Sequence, residues 1–259
     1  MIAPPSEAPS GASPFFSVVT AVFNGAATLE ATIASLRRQT FRNFEYVVLD
    51  GGSTDGTVRL LEKHGSEIAY WRSERDSGIY DAWNKAISVA RGQWISFLGA
   101  DDVYCPDALA QYAATIAGQA QAQLQYVSSR VRLVKAGKAV RTIGTAWSWP
   151  AFSRYMTVAH VGSMHHRSLF EEYGRFDQSY RLCADYEFLL RPRERLRSAF
   201  LDQVTAEMAL GGVSNANARS ALAEQERAKR TTGGRAGWLC AFERRKAHVT
   251  DTCRSLLWY

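Results

Sequence analysis

Between Phe15 and Leu98 the chain alternates short apolar runs with stretches of helical spacing, and that alternation narrows the architecture more than any single motif. Phe15 to Phe23 is apolar and is broken by Asn24-Gly25, after which Leu29, Ile33 and Leu36 recur at helical intervals. Phe44 to Leu49 repeats the pattern. It ends in Asp50 and the turn Gly51-Gly52-Ser53-Thr54-Asp55-Gly56-Thr57, before a short helix through Val58, Leu60 and Leu61 that stops near Gly65. Ile68 to Trp71 reads as a third strand. Tyr80, Trp83 and Ile87 mark one helix face closed by Gly92, and Trp94 to Leu98 is a fourth apolar run. Such an alternation predicts an α/β fold: a mostly parallel sheet with helices on both faces.

Downstream, an Ala/Gln-rich helix is expected from Pro106 to about Gln121. Leu124 to Val134 and Ala139 to Ile143, around Lys135-Ala136-Gly137-Lys138, form a hairpin signal, so the sheet is expected to be mixed from there. Trp147, Trp149, Phe152 and Tyr155 cluster around Pro150 as core, lid or a sugar-stacking face. Ala184 to Arg191 reads as a helix with Asp185 in its first turn, where an acid either satisfies the positive helix end or does chemistry. Thr231-Thr232-Gly233-Gly234 ends the pattern, so one principal domain is expected over residues 15–230.

Residues 1–14 hold four of the seven prolines and lack a basic region followed by an apolar core; they read as a disordered tail and fail as a signal peptide. Residues 231–259 form a basic amphipathic segment. Its Trp238, Phe242, Val249, Cys253 and Leu256 share a helical face near Arg244, Lys246 and Arg254. It either docks peripherally on an anionic membrane or packs on its own domain or a second subunit in a homodimer. A net charge of +6 suits anionic ligands such as nucleotides and is too modest to imply nucleic acid. Cys105, Cys183, Cys240 and Cys253 are widely spaced, which suggests neither disulfide framework nor zinc cluster and points to a reducing cytoplasm. No apolar stretch approaches the roughly 20 residues needed to cross a bilayer.

The chemistry concentrates at Gly99-Ala100-Asp101-Asp102, directly after the fourth apolar run. Ligands bind at the carboxyl ends of strands in open α/β sheets, and two adjacent carboxylates there repel unless a cation or a raised pKa relieves them. A hard divalent ion with oxygen ligands fits, and so does a solvated turn capping the next helix. Familiar nucleotide loops are missing. Asn24-Gly25-Ala26-Ala27 is no GxGxxG and no basic loop of a nucleotidyl transferase, Gly137-Lys138 is followed by Ala139, and Gly52 spoils a calcium loop at Asp50 to Gly56.

Five segments in order then resemble the GT-A-fold glycosyltransferases of family 2, from about Phe16 to Arg230. They are Ser17 to Asn24, Val47 to Thr57, Asp76-Ser77-Gly78-Ile79-Tyr80-Asp81-Ala82-Trp83-Asn84-Lys85, Gly99 to Asp102, and Ala184-Asp185. The third is similar to the branch that builds bacterial exopolysaccharides and capsules. The resemblance implies an inverting enzyme that moves a sugar from a nucleoside-diphosphate sugar to a glycan or lipid-linked acceptor. It assigns Thr20, Ala21, Phe23 and Asn24 to the nucleoside pocket, Asp50 with Gly52 and Ser53 to base or ribose, and Asp81, Asn84 and Lys85 to the donor. Asp102 would be the principal ligand of Mn2+ or Mg2+, Asp101 a ribose or sugar contact, Asp185 the catalytic base, and His160 an acceptor or phosphate contact. Where relatives carry Asp-Asp-Gly-Ser this chain has Asp50-Gly51-Gly52-Ser53, and the usual acidic pair at the base is Ala184-Asp185. A non-catalytic nucleotide-sugar or glycan-binding module on the same fold is the alternative; joint retention of Asp50, Asp102 and Asp185 favours the enzyme.

Overall fold

The computed structural model describes residues 13–210, 218–243 and 245. The first half of the chain folds as its alternation predicts. Strands β1 (Phe16–Val22), β2 (Phe44–Asp50), β3 (Tyr70–Ser73) and β4 (Trp94–Phe97) lie parallel, joined by helices α1 (Leu29–Arg37), α2 (Thr57–Lys63) and α3 (Ile79–Val89). Their registers set the edge that matters: Val22 lies beside Asp50, Asp50 beside Ser73, and Val19 beside Phe97. All four strands therefore deliver their following loops to one side of the sheet.

The second half is mixed. After β5 (Val103–Tyr104), α4 (Ala108–Ala117), the hairpin β6 (Tyr126–Lys135) and β7 (Lys138–Ile143), and the single turn α5 (Trp149–Phe152), strand β8 (Ser163–His166) runs antiparallel between β4 and β6. Helices α6 (Arg167–Tyr173) and α7 (Ala184–Leu190), strand β9 (Ser198–Ala209) and helix α8 (Ala218–Thr231) follow. The order is β3-β2-β1-β4-β8-β6-β9-β5, with β7 outside on β6.

Strand β9 escapes a pattern search because Asp202, Gln203 and Glu207 interrupt it, yet it pairs with β6 along most of its length and closes β5 at its far end. Apolar layers cover both faces of the sheet. Val19, Val47, Leu49 and Phe97 pack under α3, α6 and α7, while Val18, Tyr46, Val48 and Leu98 pack under α1, α2 and α4. Burial on both sides explains why these strands read as continuous apolar runs.

Trp147 packs on Phe152, with ring centroids 4.3 Å apart, and belongs to the core side of its cluster. At the C-terminus Trp238 and Phe242 are exposed while Cys240 is buried. Val249, Cys253 and Leu256 lie outside the described residues, as do residues 1–12 of the expected tail. Among the described residues no helix is long and apolar enough to cross a membrane.

Candidate active site

At the sheet edge, Asp50 is an anchor. Only 2% exposed, it accepts hydrogen bonds at Oδ2 from the Gly52 and Ser53 N–H groups (3.1 and 3.0 Å) and the Ser73 hydroxyl (2.6 Å), and at Oδ1 from the Ser53 hydroxyl (2.5 Å). The turn needs glycine at 52, where φ is +85°. The loops after β1 and β2 are laced together: Asn24 N–H donates to Ser53 Oγ, Thr54 N–H donates to Asn24 Oδ1, and Asp55 accepts from Ala26 N–H and from Thr57. Phe23, 66% exposed, stands beside this rim near Gly51. Thr20 does not line it. Its side chain is fully buried and its hydroxyl donates to the Leu98 carbonyl, because the position falls inside β1; Ala21 is half-buried against the core.

The acidic turn after β4 splits its carboxylates. Asp101 is exposed; Asp102 is 4% exposed and accepts at Oδ1 from the Ala209 N–H of β9 (3.0 Å). Its Oδ2 lies where a Cβ on residue 99 would sit, so only glycine admits this fold-back. Burial, then the neighbouring Asp101 charge, pushes the Asp102 carboxyl up to about 7. A carboxyl so placed ionises readily only when positive charge is added beside it. Two adjacent carboxylates are a hard oxygen donor set suited to Mg2+ or Mn2+. Among the described residues no three His, Cys, Asp or Glu groups surround one point, so substrate oxygens and water must complete any coordination shell.

On the other flank, half-buried Asp185 accepts at Oδ1 from the Tyr80 hydroxyl of α3 (3.1 Å). Burial pushes its carboxyl up to about 6, against the lowering by the Tyr186 N–H and Tyr80. Glu224 of α8, not anticipated from sequence, accepts the N–H groups of Arg181, Leu182 and Cys183 (2.9, 2.9 and 3.0 Å) just before α7. Those backbone donors are therefore satisfied from α8, and Asp185 is not spent on them. The Glu224 partnership joins positions more than 40 residues apart and has no local signature.

Several expected donor contacts are engaged elsewhere. Asn84 is buried, its amide donating to the Phe176 carbonyl (2.8 Å) and its Oδ1 accepting the Phe176 N–H (3.0 Å); it clamps chain to chain and does not face a ligand. Lys85 bridges Asp81 and Glu74, each at 3.1 Å, and Asp81 also accepts the Ser77 N–H. The His160 ring stacks on Trp83 (4.9 Å) and Phe97 (5.4 Å), with both nitrogens buried and unpartnered among the described residues. Burial pushes its pKa down to about 3, so it offers no positive charge to a phosphate. Asp76, present in the third motif but unassigned, accepts the Gly78 N–H with its other oxygen close to Gly51, and burial raises its pKa.

This is a GT-A α/β scaffold with a laced rim, an acidic turn and a raised-pKa carboxyl at one edge. The glycosyl transferase family 2 pattern matches residues 17–161, and the chain belongs to that family. It is 33% identical to a PGL/p-HBAD biosynthesis glycosyltransferase of Mycobacterium bovis, over 79% of this chain and 80% of the relative. It is 34% identical to another glycosyltransferase from Mycobacterium tuberculosis, over 69% of each. Among solved structures it resembles Staphylococcus aureus TarS 1–349 in complex with UDP, with a TM-score of 0.67 at 19% identity over 83% of this chain and 64% of that one. It also resembles the mannosyltransferase PcManGT of Pyrobaculum calidifontis in complex with GDP-Man and Mn2+, with a TM-score of 0.61 at 18% identity over 95% and 81%.

Proposed function

We propose that this protein transfers a sugar from a nucleoside-diphosphate sugar to a glycan or lipid-linked acceptor by direct displacement with inversion, in the assembly of a cell-surface glycan. The observation that carries this reading is Asp185, a carboxyl raised to about 6 and oriented by Tyr80, while the acidic turn and laced rim lie on the same scaffold. An acceptor hydroxyl must lose a proton as it attacks the anomeric carbon. A positioned carboxylate that is ionised at neutral pH and still basic can take it, worth about 10²–10⁴-fold.

The rim of Phe23, Asn24 and Ser53, held by Asp50, would seat the nucleoside, with Phe23 offering an exposed ring to the base. Asp102, with Asp101 beside it, would hold Mg2+ or Mn2+, which when bound neutralises the leaving diphosphate. That structural neighbours are described with UDP or with GDP-Man and Mn2+ supports the donor class. The test is calorimetric titration with UDP, GDP, CDP and TDP, each with Mn2+ and with EDTA. Metal-dependent binding of one nucleotide is expected; no such binding to any of them would refute the donor assignment.

A further inference from the structure

We propose that the cavity between α8 and the chain around residue 235 seats an anionic group of the acceptor, a phosphate or diphosphate ester, beside Asp185. The word acceptor rests on the transferase reading; the anion site does not. The cavity is an open recess of about 610 Å3 lined by Ala223, Glu226, Arg227, Arg230, Thr231 and Arg235, three guanidinium groups and one carboxylate. Arg235 Nη2 pairs with Glu243 (2.5 Å) while its buried Nε–H has no acceptor, and among the described residues neither Arg227 nor Arg230 forms an ion pair. Positive groups gathered in excess of the carboxylates near them repel one another, and an anion relieves that repulsion. Planar guanidinium forks match phosphate oxygens two at a time.

The walls are fixed on both sides of the base. Arg227 stacks over the Tyr180 ring at 3.6 Å and donates from Nη2 to Ser179 Oγ (3.2 Å). Arg235 Nη1 donates to Ser153 Oγ (3.4 Å), and the neighbouring Phe152 carbonyl accepts the Tyr186 hydroxyl (2.9 Å). Tyr180 precedes Asp185 and Tyr186 follows it. One turn earlier on α8, Glu224 grips residues 181–183. An acceptor hydroxyl offered to Asp185 therefore has a basic recess next to it, set apart from the acidic turn that serves the donor.

The test uses the full chain and inorganic phosphate as probe, in EDTA and without nucleotide, so that its outcome is independent of donor binding. Phosphate is expected to raise the melting temperature saturably beyond chloride of equal ionic strength. Arg227→Gln with Arg230→Gln should weaken that response at least about tenfold, while Asp102→Asn retains it. Should the double variant melt early in chloride, Arg230→Lys keeps the charge, loses the fork, and should bind phosphate more weakly on an intact fold. Absence of a saturable effect, an equal effect in the variants, or competition between phosphate and a nucleoside diphosphate overturns the proposal. Once phosphate binding is established, phosphatidic acid vesicles compared with phosphatidylcholine vesicles identify the source. Binding that the double variant loses assigns a lipid-borne ester; binding that it keeps, or none, assigns a soluble one.

Discussion

Replacing Asp102 by asparagine should stabilise the metal-free protein, although the residue is the expected metal ligand. In the folded chain its carboxyl is raised from an ordinary 3.8 to about 7, because it is 4% exposed and Asp101 adjoins it. The native state then binds more protons than the unfolded state between those values, so stability falls as pH rises through that window and levels off above about 7. An increase of about three pH units, at ~1.36 kcal/mol each, caps the penalty at about 4 kcal/mol. Asparagine cannot ionise, and its Oδ1 can still accept the Ala209 N–H. The stability gap in favour of Asp102→Asn should therefore widen by about 2–3 kcal/mol between pH 5 and pH 8. Urea denaturation in EDTA at the two pH values measures it, and wild type and variant changing in parallel would refute the argument. With saturating Mn2+ the order should reverse, since only the carboxylate gains by binding.

Further outcomes follow from the other flank and from α3. Asp185→Asn should leave nucleotide affinity intact and lower transfer at least about 10²-fold, and wild-type activity should rise with pH through an acid limb near 6; a limb unmoved from the region of 4 would reject a raised base. Tyr80→Phe removes a hydrogen bond that lowers the Asp185 pKa, so the limb should move to higher pH, whereas Glu224→Gln removes a nearby negative charge and should move it lower, both read from pH–rate profiles. Asn84→Ala strands the buried Phe176 backbone groups and should cost about 1–3 kcal/mol in urea denaturation, without specific loss of donor affinity.

The parts of the fold that could be read in advance are those whose constraint is local. Buried parallel strands write themselves as apolar runs, and the breaks at Asn24, Asp50 and Asp101 mark where the sheet edge turns. Motif order carried the family and the fold, but not the direction each side chain takes. Thr20 and Asn84 stand in the expected segments and point into the fold, because a strand position and a helix face decide orientation within one residue. His160 is stacked among rings from α3 and β4, an environment assembled from three distant segments. Glu224 and β9 were illegible for the same reason: their partners at residues 181–183 and along β6 are far away in sequence, and neither has a periodic signature.

The far side of the acidic turn is closed late in the life of the polypeptide. Strand β5, immediately after Asp102, pairs with β9 through Val103 beside Glu207 and Tyr104 beside Ala206, and Asp102 itself waits for Ala209. During synthesis the parallel half of the sheet can be complete while these carboxylates still lack their wall. Chains emerge from the N-terminus onward, so a growing polypeptide acquires a finished acidic turn only after about residue 209 has left the ribosome. A chain that ends after β4 and before Ala209 can build the parallel half of the sheet and leaves Asp102 without its backbone donor.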